Sequence, residues 1–303
     1  MKIFYSDHYV IPLPEGHRFP MQKYSMLRDR VAASFASGGL RESRRATDAD
    51  LLRAHSPSYL RRVVSGSLDR QELRRLGFPW SERLVERSRR ASGGTIDACL
   101  AALEEGLAAN LAGGTHHAFH DRGEGFCVFN DTAVAVRALQ AAGLLERVAV
   151  IDTDVHQGDG TAAIFAADES VFTFSIHGER NYPFRKQRSD LDIGLPDGAD
   201  DTAFLEALSK GLEKALDASR PQLALYLAGA DPFEGDRLGR LAVSKEGLAE
   251  RDGIVLEGCR ERGIPVAVTM AGGYARNISD TVEIHLNSVL RAAALHAARR
   301  QEH

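Results

Sequence analysis

Asp152, Asp154 and His156 stand at alternating positions in Asp-Thr-Asp-Val-His, directly after Val148-Ala149-Val150-Ile151. That short apolar run reads as a buried parallel strand. Alternation just past such a strand puts two carboxylates and an imidazole on one side of the sheet's C-terminal edge. Open α/β sheets carry their chemistry at that edge. Asp154 and His156 do not close a metal site alone. A third ligand from another strand end would leave a position for water, the layout of a catalytic rather than a structural zinc.

Other polar groups fall at comparable places. His116 and His117 lie in Gly113-Gly114-Thr115-His116-His117-Ala118, a glycine-punctuated turn after an apolar segment. Adjacent histidines are common on surfaces, and Asp159 in Gly158-Asp159-Gly160 would by itself be a turn or cap residue. Asp231 follows the apolar run 223–227, and Tyr274 follows Gly272-Gly273 behind a strand ending at Met270. Three histidines, four acids and a tyrosine at the ends of apolar segments make metal-assisted hydrolysis the default chemistry.

The elements that must position these groups alternate. Strands are expected at 2–6, 147–152, 171–176, 222–228 and 265–270. Helices are expected at 21–37 (ending at Gly38-Gly39), 92–110, 131–142 (capped by Asp131), 161–167, 202–219, 245–262 and 282–300. Such alternation predicts a parallel sheet covered on both faces. No repeat, linker or composition break divides the 303 residues, so a single domain over 1–303 is expected. The polar loops 65–80 and 178–201 read as insertions that wall a site.

Composition narrows the class. No apolar run approaches the ~20 residues of a membrane span, and the first residues read as a strand start rather than a signal peptide. Cys99, Cys127 and Cys259 are scattered and odd in number, which predicts a reduced cytoplasmic protein. A net charge of −4 supplies no broad nucleic-acid-binding surface. The arginine-rich stretches at 61–62, 87–90 and 185–188 read as solvated faces.

Five motifs in order resemble zinc-dependent histone deacetylases. They are Gly-Thr-His116-His117-Ala, Gly125-Phe-Cys-Val-Phe-Asn-Asp131, Asp152-Thr-Asp154-Val-His156-Gln157-Gly-Asp159-Gly, Gly229-Ala-Asp231 through Gly235-Asp236-Arg237-Leu238-Gly239, and Gly272-Gly273-Tyr274. The chain is most similar to the class IV members and their bacterial relatives, on Gln157, Asn181-Tyr182-Pro183 and Gly16-His-Arg-Phe-Pro-Met21 with Lys23-Tyr24. The resemblance implies the arginase/deacetylase fold, an open three-layer α/β/α domain around eight parallel strands.

Residue by residue, the resemblance makes Asp154, His156 and Asp231 zinc ligands and His117 the general base. His116 is its positioning neighbour, Asp152 and Asp159 the carboxylates behind the two histidines, and Tyr274 the phenol that polarises the amide carbonyl. Gly125, Phe126 and Tyr182 match the lysine tunnel, and Leu238 its rim. A structural potassium would involve Asp152, Asp154, His156, Ser175 and Ile176. A second would involve Phe165, Asp168 and Val171. The implied activity is removal of acetyl or longer acyl groups from lysine, with an acetylpolyamine amidohydrolase as the alternative. A catalytically silent acyl-lysine-binding module fits less well, because the zinc ligands, His117 and Tyr274 are all present. Leu238 offers no charge to a polyamine, although Glu234 nearby would if it reached the rim. A two-manganese arginase-type centre does not suit the histidine pair and the phenol.

Overall fold

The computed structural model describes residues 1–35 and 39–301. Its framework is one sheet of eight strands: β1 (Lys2–Tyr5), β2 (Leu40–Glu42), β3 (Leu107–Asn110), β4 (Val148–Asp152), β5 (Val171–Gly178), β6 (Leu191–Leu195), β7 (Leu223–Leu227) and β8 (Val266–Thr269). The spatial order is β2-β1-β3-β8-β7-β4-β5-β6, and every pairing is parallel. All residues of β3, β4, β7 and β8 are buried, as strands covered on both faces must be.

Helices α1 (Gln22–Ser34), α8 (Asp201–Ser219), α9 (Lys245–Glu261) and α10 (Ile278–Gln301) pack on one face, against Ala149 and Ile151 of β4. The other face carries α2 (Asp48–Leu51), α3 (Pro57–Ser65), α4 (Arg70–Leu76), α5 (Glu82–Glu105), α6 (Asp131–Ala141) and α7 (Asp159–Phe165), against Val148 and Val150. Alternate β4 residues thus feed the two cores, the period of two expected of a strand between helical layers. None of the described helices is long and apolar enough to cross a membrane.

The order of the strands creates the site. β4 leads through α7 to β5, whereas its neighbour β7 leads through α9, on the opposite face, to β8. Adjacent strands whose connections part to opposite faces leave a crevice at their C-terminal ends, where ligands bind in open α/β sheets. Asp154 and His156 leave β4 there, and Asp231 leaves β7.

Several elements differ from the sequence expectation. The predicted helix over 92–110 begins ten residues earlier and stops at Gly106, and Leu107–Asn110 is strand β3. Ala and Leu suit a helix by propensity, yet burial between β1 and β8 overrides it. Asn130, not Asp131, caps α6, its side chain accepting from the Ala133 N–H at 2.9 Å. α1 ends at Ser34, and the predicted stop at Gly38 lies outside the described residues. Edge strands β2 and β6 and helices α2, α3 and α4 had no counterpart in the sequence reading. Of the arginines taken as solvated, Arg87 and Arg89 are buried. Arg87 lies 4.0 Å from the Tyr24 ring centroid, and Arg89 bonds Ala46 and Asp48.

Candidate metal centre and active site

The turn that carries the two histidines is held by Asp131. Freed from the cap, its carboxylate accepts the Gly114 and Thr115 N–H groups at 3.0 and 2.6 Å and the Thr95 and Thr115 hydroxyls at 2.5 Å. Asn130 bonds the Ala118 carbonyl at 3.1 Å, and its own N–H donates to His55 Nε2 at 2.9 Å. Nδ1 of His55 in turn donates to the Phe119 carbonyl at 2.9 Å. Both sides of the histidine turn are therefore fixed by buried polar bonds.

Each histidine of the pair is backed by an aspartate: His116 Nδ1 lies 2.6 Å from Asp152, and His117 Nδ1 2.6 Å from Asp159. A carboxylate only accepts, so both Nδ1 atoms carry the proton and Nε2 is the free atom of His117. The two rings are 4.1 Å apart, and His117 is 6.0 Å from the His156 ring. Burial and the neighbouring His116 charge lower the His117 pKa to about 4. Burial also acts against charge on His116, but Asp152 and Asp154 outweigh it and raise that pKa to about 9.

Asp154, His156 and Asp231 converge, with one ligand atom from each inside 4.8 Å of the others. One oxygen of each carboxylate is held by a backbone N–H. Asp154 Oδ2 accepts the Gly272 N–H at 2.7 Å, and Asp231 Oδ1 accepts the Val155 N–H at 2.9 Å. Asp231 Oδ2 is buried and accepts no hydrogen bond, though His156 Nδ1 stands 3.2 Å away. Burial and Asp154 push the Asp231 carboxyl up to about 7, whereas His116 and His156 hold Asp154 well below the carboxylate range despite its burial. His156 itself is raised to about 10, because both carboxylates outweigh burial.

These residues fit a divalent cation. Asp231 Oδ2, which accepts no hydrogen bond and has His156 Nδ1 beside it, is open to a cation shared with that imidazole. Two carboxylates with an imidazole are hard and borderline donors of the kind zinc takes. Space is reserved for it too. A Cβ on Gly272 would lie 2.0 Å from Asp231 Oδ2 and 2.5 Å from Asp154 Oδ2, so the glycine lets the carboxylates converge.

A cavity of about 680 Å³ contains this centre and is lined by His116, His117, Gly125, Phe126, Tyr182, Leu238 and Tyr274. Gly125 is in the left-handed region (φ 53°), and a Cβ there would meet His117 Cδ2 at 2.6 Å. Tyr182 sets its ring edge-on to His117 at 4.9 Å and bonds Glu124 through its hydroxyl at 3.2 Å. Glu234 is exposed and does not line the cavity among the described residues. Ser175 pairs with Asp152 in the β4–β5 register, next to Ile176. Asp168 is engaged by Arg137 and Ser170, and its N–H and carbonyl bond Phe165 and Val171.

Two supporting residues had no role in the sequence reading. Asp236 accepts the Tyr274 N–H at 2.6 Å and the Leu238 and Gly239 N–H groups at 2.8 and 3.0 Å, joining the phenol loop to the rim. Lys23 is 3% exposed. Its ammonium donates to the Ala271 and Gly273 carbonyls at 3.4 and 3.3 Å and lies 5.3 Å from the Tyr274 ring centroid. Both stand inside motifs, but the Tyr274, Ala271 and Gly273 backbone groups they bind lie far along the chain.

A histone deacetylase domain model matches residues 17–289. An uncharacterized protein of Picosynechococcus sp. is 47% identical over 96% of this chain and 97% of its own length. Histone deacetylase 2 of Arabidopsis thaliana is 32% identical over 93% of this chain and 78% of its own. The crystal structure of an HDAC homolog from Aquifex aeolicus superposes with a TM-score of 0.82 at 26% identity, covering 96% of this chain and 84% of that one.

Proposed function

The chain belongs to the histone deacetylase family, of the arginase/deacetylase superfamily, and on that premise we propose that it is a zinc-dependent lysine deacylase. The observation that carries the reading is the convergence, in one cavity, of the Asp154–His156–Asp231 donor set, two Asp-backed histidines and Tyr274. Bound by those three residues, zinc supplies a Lewis acid that polarises the amide carbonyl and makes water acidic enough to deprotonate near neutral pH.

The chain's own groups do the rest. His117 Nε2 takes the proton from the attacking water and returns it to the departing lysine amine. Asp159 keeps the His117 proton on Nδ1 and favours the cation formed in between. His116, paired with Asp152, sits beside it and favours negative charge building on the substrate. The Tyr274 hydroxyl donates to the carbonyl oxygen as it becomes an oxyanion, from a loop anchored by Asp236 and Lys23. Phe126 and Tyr182 pack on the methylene stem of the lysine.

Leu238 at the mouth favours acyl-lysine over a polyamine, whose second ammonium would meet no partner there. Potassium beside Asp152 and Ser175, and a second near Asp168, belong to this reading as structural ions, and the cytoplasm as its place of action. The test is zinc-loaded enzyme assayed in parallel on acetyl-lysine and long-chain acyl-lysine peptides and on acetylputrescine. Higher kcat/KM on a lysine peptide is expected. Preference for acetylputrescine would reject the substrate assignment.

A further inference from the structure

Six exposed arginines line the cavity: Arg18, Arg74, Arg75, Arg180, Arg237 and Arg240. They come from the loop before α1, from α4, from the loop after β5 and from the loop after β7. The acids that line it are Asp154 and Asp231, both in the metal centre. The net charge of the whole chain is −4, so this is a local concentration of positive charge.

Most of that charge is not neutralised. Among the described carboxylates, none forms an ion pair with Arg18, Arg74 or Arg180, whereas Arg240 pairs with Asp197 at 3.2 Å. Arg237 donates through Nε to the Tyr274 carbonyl at 3.0 Å, which leaves its charge uncompensated. Glu124 is engaged by Arg122 and Tyr182, and Glu179 and Glu234 stand outside the lining. Phe184, 84% exposed, adds an apolar contact at the same cavity.

Like charges gathered at one opening repel, and a cleft lined by one sign draws in ligands of the other. Guanidinium groups are also suited to carboxylates, which they bind in a planar fork. We propose that the substrate is an acylated lysine flanked by acidic residues, and that the arginine rim disfavours basic segments. The inference rests on the lysine-deacylase reading and adds the chemical class of the segment that presents the lysine. The rim arginines are specificity residues and leave the bond-breaking step to the groups beneath them.

Three acetyl-lysine peptides of equal length, with acidic, neutral or basic flanks, test this with the zinc-loaded enzyme. The expected order of kcat/KM is acidic, neutral, basic, with ~10-fold or more between the extremes at low salt, expressed mainly in KM. At about 0.5 M salt the spread should narrow, since rim charges are solvent-screened. Arg18→Gln combined with Arg180→Gln should bring the acidic-to-basic ratio toward one, and Arg180→Glu should lower it further, with thermal melting confirming that each variant folds. A basic peptide equal to or better than the acidic one at low salt overturns the proposal. So does a ratio that neither salt nor the variants move. If all three peptides are hydrolysed alike, this inference falls and the lysine reading stands. If none is hydrolysed while acetylputrescine is, both fall.

Discussion

Gly272→Ala isolates the metal centre from the rest of the machinery. The residue has no left-handed backbone to lose, so the substitution acts through contact alone. The new methyl would stand 2.0 Å from Asp231 Oδ2 and 2.5 Å from Asp154 Oδ2, against 3.4 Å for ordinary contact. One carboxylate must retreat by about 1.4 Å and the other by about 0.9 Å. Asp231 is tied through its other oxygen to the Val155 N–H, and Asp154 through its other oxygen to the His156 N–H and through Oδ2 to the Gly272 N–H itself, so the two cannot shift as a unit. Metal–ligand distances tolerate only ~0.2 Å. Since loss of a supporting contact alone weakens metal binding ~10–100-fold, displacing a ligand should cost at least ~100-fold, or about 3 kcal/mol. The assay is zinc titration against a competing chelator, with circular dichroism to establish folding. A folded Gly272→Ala protein that binds zinc as tightly as the wild type would refute the assigned centre.

Tyr274→Phe removes one oxyanion donor and should lower kcat by ~10²–10³ with zinc content unchanged, as steady-state kinetics beside metal analysis will show. Asp231→Ala should lose both metal and activity, which the same pair of measurements separates from Tyr274→Phe. Lys23→Met leaves two carbonyls without their buried donor and should cost about 1–3 kcal/mol in denaturant unfolding, with kcat falling more than KM rises. His55 is lowered by burial to about 4, so its unfolded form binds a proton first as pH falls below 6.5. The His55 contribution to stability should therefore drop through pH 6.5 to 4 and level below, by about 3 kcal/mol. His55→Gln should flatten that part of the unfolding-versus-pH curve, and an unchanged slope would remove His55 as its source.

The central strands and the residues at their ends were legible because each reports a strong local signal. Val148–Ile151 is a continuous apolar run followed by Asp152, Asp154 and His156, and the apolar strands β7 and β8 lead likewise to Asp231 and Tyr274. What stayed hidden depends on partners far along the chain. β2 is three residues with two exposed, and β6 carries Asp192 and Gly194 on an edge, so neither shows a buried-strand pattern. β3 is Leu-Ala-Ala-Asn, which becomes a strand only by pairing with β1 and β8. Asp131 looks like a helix cap from its neighbours, and only the fold brings it to the Gly114 and Thr115 N–H groups. The arginine rim was equally invisible, since its members are spread from residue 18 to residue 240 and meet only around the cavity.

Metal content and peptide deacylation measured on one sample test the central claim most directly. The apoprotein is loaded with zinc, dialysed, analysed for metal, and assayed on an acetyl-lysine peptide before and after a strong chelator. The account predicts one zinc per chain, turnover that the chelator or a hydroxamate abolishes, and recovery when zinc is restored. Two manganese ions per chain, or hydrolysis that survives complete removal of metal, would contradict it.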